Sequence, residues 1–597
     1  MPVTLPARRA ALGATALRGG RAWRPTPYQF FGFLFWLLLS LAFWRLPLCC
    51  DAGQHAAVVE RLRASLLDPR HPTADLPGDG SAAYSPYAVA QGLFARLTGL
   101  GGWEVLRLAG PLNLLVLLTG LGRLVRLLTP RPWAPVLALA ATTLLWGTEQ
   151  APGSGRTGLM ALTGTLGHPS TFALGLTLWA WALTGARRAG PSGRPGVAGY
   201  AGLGALYGLI VLVDPVTAVG AALGAVAFAV GRPAPTEEDR TPEHSTTPAG
   251  ECRAPENSTT PAEEGRTPEH SATPTDAGRT PHDRATPPAG PPAQLDGATP
   301  PAGTPAPHDR ATPPAGTSAP HDRAASVRAL LLIAAAALPT AALWPYFDVF
   351  ALTGGAGADA SHRRFPLDAV GQVWLAALGL PALWLRARRT AWRDPLVLLL
   401  ALDCAVLALG RPTGLLTGGG ILGLALVPAQ FALAVELSAP RPWRAWRRAL
   451  GAAAAAGACL GFLSVQAGAV VPRSLDPVGF PQPPRPPTYE WAAQHIRPGE
   501  VVIADGRAAG LALAGYGANL AAPARPDASL DERERRERLK DVRAYLSPDV
   551  TRARRAAVVR RHHVRWLLLT RSRTLPGEAV VVAWSPRTGE VLARVGR

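Results

Sequence analysis

About eleven segments of this sequence are apolar enough to be candidate membrane-spanning helices, and several of them are short for a span. A helix needs roughly 17–25 predominantly apolar residues to cross about 30 Å of hydrocarbon. Because backbone polar groups in lipid must find hydrogen bonds within the protein, such segments form helices that pack as a bundle. The sequence therefore predicts a polytopic α-helical membrane protein surrounded by membrane lipid. The segments are residues 28–48, 104–121, 133–146, 160–183, 197–213, 216–230, 329–347, 370–385, 395–409, 418–437 and 450–471.

Arginine residues between these segments indicate the orientation of the bundle. The chain has a net charge of +19, but its arginines lie in loops beside the apolar segments and not in one patch. Basic residues flank spans on the cytoplasmic side, which explains the charge without a nucleic-acid partner. We expect a multi-pass plasma-membrane protein with a cytoplasmic N-terminus and an extracytoplasmic C-terminal domain. The N-terminal tail (1–27) is basic, and four clusters fall on the same predicted side: Arg123/Arg126/Arg131, Arg187/Arg188/Arg194, Arg386/Arg388/Arg389/Arg393 and Arg441/Arg444/Arg447/Arg448.

Two further regions differ in composition from the apolar segments. Residues 231–327 are dominated by Pro, Thr, Ala, Gly and charged residues, so we expect a disordered cytoplasmic loop between transmembrane regions 28–230 and 328–471. Residues 472–597 have the composition of a small α/β domain. Alternating strands and helices there favour an open, Rossmann-like sheet. We predict strands near 500–504, 564–569, 579–584 and 591–595, and helices at 487–495 and 530–546.

The long first external loop, residues 49–103, contains the most informative polar residues. Asp51 follows the first span directly, and His55 lies on a predicted interfacial helix behind it. A carboxylate at that depth is costly unless it is paired or used. Asp51 is therefore a candidate functional residue, with helix capping as the structural alternative. Ser85-Pro86-Tyr87 then leads into a predicted amphipathic helix at 88–97.

The order of these features resembles the GT-C superfamily of integral membrane glycosyltransferases, of the actinobacterial type that depends on polyprenyl-phosphate sugars. The shared features are an acidic residue after the first span, a long first external loop, the Ser-Pro-Tyr entry to the next helix and the external α/β domain. Three short motifs are also similar: Gly167-His168-Pro169-Ser170, Val213-Asp214-Pro215-Val216-Thr217 and Trp344-Pro345-Tyr346.

The resemblance implies transfer of a sugar from a polyprenyl-phosphate donor to an extracytoplasmic glycan, lipid or protein acceptor of the cell envelope. Asp51 would be the general base that deprotonates the acceptor hydroxyl. Because the leaving group is a lipid phosphate, cationic groups are expected near it. The candidate substrate-binding residues are His55, Glu149, His168, Asp214, Arg363 and Arg364.

Each of these residues also has a plain structural interpretation. His168 could cap a helix beside Pro169, Glu149 could be a solvated loop residue, and Arg363 with Arg364 could meet lipid headgroups. The first loop contains no Asp-x-Asp or Glu-x-Asp pair, so no metal site is predicted and no resident cofactor is expected. A divalent cation stays an open possibility.

Two other functional classes remain open at this point. One is a non-catalytic membrane protein of the same architecture, and the other is a transporter. Intramembrane carboxylates often serve ion coupling, and Asp403 lies in the middle of a predicted span. A structural pairing of Asp403 with an arginine or a helix end is the simpler expectation.

Overall fold

The computed structural model describes most of the chain outside the N-terminal tail and the predicted disordered loop. Asp51, Arg363 and Arg364 lie outside the described residues. The described residues are 25–46, 48, 52–78, 80–149, 157–189, 197–232, 319–350, 369–413, 419–439, 445–483, 485–523, 525–527 and 530–596.

Helices make up most of the described structure. They are α1 Pro27–Arg45, α2 Ala52–Ala64, α3 Pro86–Thr98, α4 Gly102–Leu128, α5 Ala134–Leu144, α6 Leu159–Thr165, α7 Pro169–Ala189, α8 Val197–Val213, α9 Pro215–Val230, α10 Ala319–Ala342, α11 Ala369–Val373, α12 Leu380–Arg389, α13 Pro395–Thr413, α14 Gly419–Leu437, α15 Ala445–Gly461, α16 Glu490–Ala493, α17 Arg507–Ala514, α18 Glu532–Leu546 and α19 Arg552–His562.

The surface of this helix bundle is suited to lipid. Among the described residues, five helices are long and apolar enough to cross a membrane, and five shorter apolar helices accompany them. Large apolar side chains also point outward: Phe30 is 60% and Phe33 is 62% exposed on α1. Soluble proteins rarely expose a continuous apolar surface of this kind to water. The chain is therefore an integral membrane protein.

Arginines from three separate segments of the chain meet at one end of the bundle. Arg131 donates a hydrogen bond from Nη1 to the carbonyl of Val435 at 3.1 Å. The neighbouring carboxylate of Glu436, which is buried, accepts from Arg389 at 3.0 Å and from Arg447 at 2.6 Å. Members of three of the four predicted arginine clusters therefore lie close together. Their cytoplasmic location stays a prediction.

Three predicted spans are not uniform α-helices. The prediction of a single helix was wrong for 160–183, whereas Val370–Arg389 and Ala445–Ala469 each remain one helix long and apolar enough to cross a membrane. The segment 160–183 is divided between α6 and α7 because Pro169 lacks an N–H and disfavours a helical residue before it. The segment 370–385 comprises α11, a 3₁₀ helix at Trp374–Gly379 and α12. The segment 450–471 begins in α15 and ends as a π-helix at Phe462–Gln466 and a further 3₁₀ turn.

The C-terminal domain contains a five-stranded mixed sheet in the order β2-β1-β3-β5-β4. Strand β1 is parallel to β2 and β3, and β5 is antiparallel to β3 and β4. Four of these strands were predicted, and β2, α17 and α19 were not. The helix predicted at 487–495 is only the single turn α16. The strands are β1 Val501–Ala504, β2 Asn519–Leu520, β3 Val564–Leu569, β4 Ala579–Trp584 and β5 Val591–Val595.

The segment predicted to be the first external loop packs on the edge of this sheet. Ala74 forms a parallel bridge with Leu520, whose N–H donates to the carbonyl of Thr73 at 2.7 Å. The Arg61 guanidinium, carried by α2, donates to the side chain of Asn519 and, at 3.2 Å, to the Ala518 carbonyl. The C-terminal domain thus holds α2 in a fixed position over the bundle.

Candidate functional site

Two histidines that are distant in sequence, His55 of α2 and His168, contact each other. Ala52, which follows Asp51 in the sequence, is the first residue of α2, and His55 lies in its first turn. The His55 ring lies edge-on to the ring of His168, with 4.9 Å between centroids and 61° between planes. His168 is 9% exposed. The structure therefore brings together two of the predicted site residues.

The break between α6 and α7 places His168 at this position. Its backbone N–H donates to the Thr165 carbonyl at 2.9 Å, and its own carbonyl accepts from the Thr171 N–H at 3.2 Å. Pro169 then begins α7, so His168 stands at the N-terminal end of a 21-residue helix. The helix dipole makes such an end favourable for an anion.

A polar layer behind His168 ties three helices together. Asn113, fully buried in α4, donates from Nδ2 to the Leu166 carbonyl at 2.7 Å and to the Tyr87 hydroxyl at 2.8 Å. The Tyr87 ring, on α3, stacks on Phe172 of α7 with centroids 4.7 Å apart. Sequence reasoning missed Asn113. The available signal was an amide in an otherwise apolar segment.

Glu149 and Asp214 contact residues other than the histidine pair. Asp214 caps α9, because its carboxylate accepts from the Thr217 hydroxyl at 2.5 Å and from the Val216 N–H at 3.3 Å. Glu149 is exposed, and its carboxylate lies against Gly371. Among the described residues, no contact joins either carboxylate to the histidine pair. Their role as substrate ligands stays a prediction, as does that of Arg363 and Arg364.

Asp403 differs from the expectation of a structural pairing. The residue is fully buried in α13. Neither carboxylate oxygen accepts a hydrogen bond from any residue that the structure describes. The simple pairing with an arginine or helix end is therefore wrong for this part of the chain.

Metal ligation is not evident in the described ranges. Within them, no group of three or more His, Cys, Asp or Glu side chains is arranged to hold a metal ion.

Comparison with known proteins gives likenesses of architecture. No protein-family model and no curated protein sequence matches the chain. A structure of arabinofuranosyltransferase AftD from Mycobacteria is similar, with 14% identity and a TM-score of 0.48 over 95% of this chain and 42% of that one. The chain thus spans less than half the length of that protein. The archaeal oligosaccharyltransferase AglB from Archaeoglobus fulgidus, in complex with an inhibitory peptide and a dolichol-phosphate, is 10% identical with a TM-score of 0.43, over 91% of this chain and 69% of that one.

Proposed function

We propose that this chain is a membrane-embedded glycosyltransferase that transfers a sugar from a polyprenyl-phosphate donor to an extracytoplasmic acceptor. The observation that supports it most is the contact of His55 with His168. These residues come from separate segments: His55 lies in the first turn of the helix that follows Asp51 in the sequence, and His168 directly precedes α7. Two imidazoles in contact at the N-terminal end of α7 suit a reaction that releases a phosphate.

The proposed reaction is a displacement at the anomeric carbon of the donor sugar. Asp51 accepts the proton of the acceptor hydroxyl, and the hydroxyl oxygen attacks that carbon. The bond between the carbon and the phosphate oxygen breaks, and the polyprenyl phosphate leaves with the electron pair. A carboxylate serves as the base when it comes within about 2.6–3.2 Å of the hydroxyl.

The histidine pair would hold the leaving phosphate. A protonated imidazole donates charge-assisted hydrogen bonds to phosphate oxygens. With ring centroids 4.9 Å apart, His55 and His168 can address different oxygens of one phosphate group. Arg363 and Arg364 would add positive charge from the fourth external loop. Such fixed donors stabilise the negative charge that develops on the leaving group.

In this proposal the chain crosses the membrane about eleven times. The 27-residue helix α4 begins against α2 and ends near the arginine-rich end, so it joins the two ends of the bundle. At about 1.5 Å per residue it is about 40 Å long. With the arginine end in the cytoplasm, the histidine pair and the C-terminal domain lie on the outer side of the plasma membrane.

The proposal is tested by comparing two aspartates of the same loop. Purified chain is supplied with radiolabelled polyprenyl-phosphate sugars and a cell-envelope glycan extract. Asp51→Asn abolishes product formation and leaves membrane insertion unchanged. Asp68→Asn, the control, changes an exposed loop aspartate and retains activity. Full activity of Asp51→Asn removes the catalytic assignment.

A transporter is the second candidate, because Asp403 is buried without a hydrogen-bond partner among the described residues. Ion-coupled transport commonly uses such a carboxylate. It predicts substrate flux in proteoliposomes that Asp403→Asn abolishes. The glycosyltransferase proposal predicts that this substitution leaves sugar transfer intact.

A further inference from the structure

A cleft of about 400 Å³ lies on the side of α2 that faces the C-terminal domain. Its floor is formed by α2 and the start of α4, and its other wall by the C-terminal domain from Pro486 to Tyr516. Leu48 and Gly53, which precede and follow Asp51 in the sequence, both line it. The cleft has the volume of an ordinary small-ligand site. Its polar lining consists of Glu60, Arg63, Trp103, Glu104, Arg107, Thr488, Tyr489, Glu490 and Tyr516.

Two aromatic rings from opposite walls form a platform in the cleft. Trp103 of α4 and Tyr516 of the C-terminal domain have centroids 5.6 Å apart and planes tilted by 43°. The Trp103 indole is seated against Gly515, where an added Cβ would come within 2.9 Å of the ring. Only a glycine there allows the ring to lie so close. The platform is therefore fixed by backbone contacts.

The charged groups of the cleft are of two kinds. Glu60 is held in place, because one carboxylate oxygen accepts from the Gly102 N–H at 2.6 Å and the other pairs with Arg63 at 3.1 Å. Arg107 and Glu490 are exposed, and neither side chain makes an ion pair or hydrogen bond with the residues that the structure describes. The cleft thus offers a guanidinium and a carboxylate, both unpaired within the described part of the chain, beside an aromatic platform.

We propose that this cleft binds a neutral glycan, the acceptor of the transfer reaction; this inference rests on the proposed function. The electron-rich face of an aromatic ring attracts the weakly positive C–H groups of a sugar ring. Carboxylate and guanidinium groups together accept from and donate to the hydroxyls of the sugar. Acidic and basic residues are nearly balanced here, which disfavours a polyanion.

The cleft is unsuited to the other substrate, the polyprenyl donor. A polyprenyl chain is apolar and requires lipid or an apolar groove, whereas Glu60, Arg107 and Glu490 would be desolvated against it at considerable cost. The two substrates would therefore approach α2 from different sides. The donor phosphate meets the histidine pair, and the acceptor glycan lies between α2 and the C-terminal domain.

Binding measurements on the full chain in nanodiscs test this assignment without any donor. The probes are an array of neutral oligosaccharides of two to four sugars, followed by calorimetric titration of the best-bound one. Trp103→Ala and Glu490→Gln weaken binding at least tenfold, whereas Trp103→Phe, which keeps a ring, retains most of it. The matched control is Glu537→Gln, on an exposed face of α18, and it binds as the unmodified chain does.

The outcomes separate this inference from the proposed function. Asp51→Asn should bind the oligosaccharide normally, since Asp51 acts on the reaction and not on the platform. If Asp51→Asn keeps full activity while Trp103→Ala loses binding, the catalytic proposal fails and the glycan site stands. The glycan assignment is overturned if none of the neutral oligosaccharides binds, or if acidic glycans or peptides, tested in parallel, bind in their place. So does equal binding by Trp103→Ala and Glu537→Gln when both variants unfold at the same temperature as the unmodified chain.

Discussion

Substitution of Gly53 by alanine should displace α2 and thereby reduce activity far more than it reduces stability. Gly53 lies where α2 crosses α17 of the C-terminal domain. An added Cβ would come within 2.4 Å of the Leu511 carbonyl oxygen, whereas ordinary contact begins near 3.4 Å. Since that atom belongs to the backbone, the two helices must separate by about 1 Å.

The expected magnitudes follow from this displacement. Overpacking costs about 1–3 kcal/mol, and replacing glycine by alanine in a helix returns about 1 kcal/mol. The net loss of stability is therefore at most about 2 kcal/mol. A shift of about 1 Å in the helix that carries His55 should lower turnover about a hundredfold.

Thermal unfolding in detergent and sugar transfer are measured on the same preparation. Gly202→Ala is the control, because Gly202 is exposed on α8 and an added Cβ has no heavy atom within 4 Å. It should unfold at the same or a slightly higher temperature and keep its activity. If Gly53→Ala matches this control in both measurements, the close packing of α2 on the C-terminal domain does not position the site.

Further predictions concern the bundle, the domain interface and the polar layer. Glu436→Gln leaves two arginines facing a neutral amide and should destabilise the chain by about 3–5 kcal/mol, whereas Glu537→Gln, at an exposed ion pair, costs less than about 1 kcal/mol; chemical denaturation distinguishes them. Burial holds the pKa of His71 below its usual value, with Asp527 opposing this only in part. Because the folded chain favours the neutral imidazole of His71, the stabilisation is complete above pH 6.5 and is lost as the pH falls from 6.5 to about 4. His71→Gln should therefore flatten the pH dependence of the unfolding temperature. Asn113→Leu leaves the Leu166 carbonyl without its donor and should cost about 1–3 kcal/mol, measured by thermal unfolding, together with lower activity.

Sequence patterns predicted the elements whose signals are local. Strand β3 and the hairpin of β4 and β5 consist of short apolar runs between turn residues, and the structure places them at the predicted residues. The hydrophobic segments were equally visible. The breaks within them were not, because a mean hydropathy is insensitive to one residue such as Pro169. The two-residue strand β2 depends on pairing with β1 and on the bridge to Ala74, which are tertiary contacts.

The candidate site was only partly accessible to sequence reasoning. His55 and His168 were singled out, and the structure places their rings in contact. Asn113 was visible as an amide in an apolar segment, but its partner, the Leu166 carbonyl where α6 ends, is a tertiary contact that the sequence does not reveal. The aromatic platform was also missed, since Trp103 and Tyr516 meet only after the C-terminal domain docks on the first external loop.

A donor site at the histidine pair can be tested by photo-crosslinking with a polyprenyl-phosphate sugar that carries a photoreactive group on the phosphate-proximal prenyl unit. We expect saturable labelling of peptides from α2 and from the start of α7. Unlabelled donor should compete, and His168→Gln should weaken the labelling while leaving the unfolding temperature unchanged. Labelling confined to the arginine-rich end near Glu436, or labelling that does not saturate, would contradict a donor site at the histidine pair.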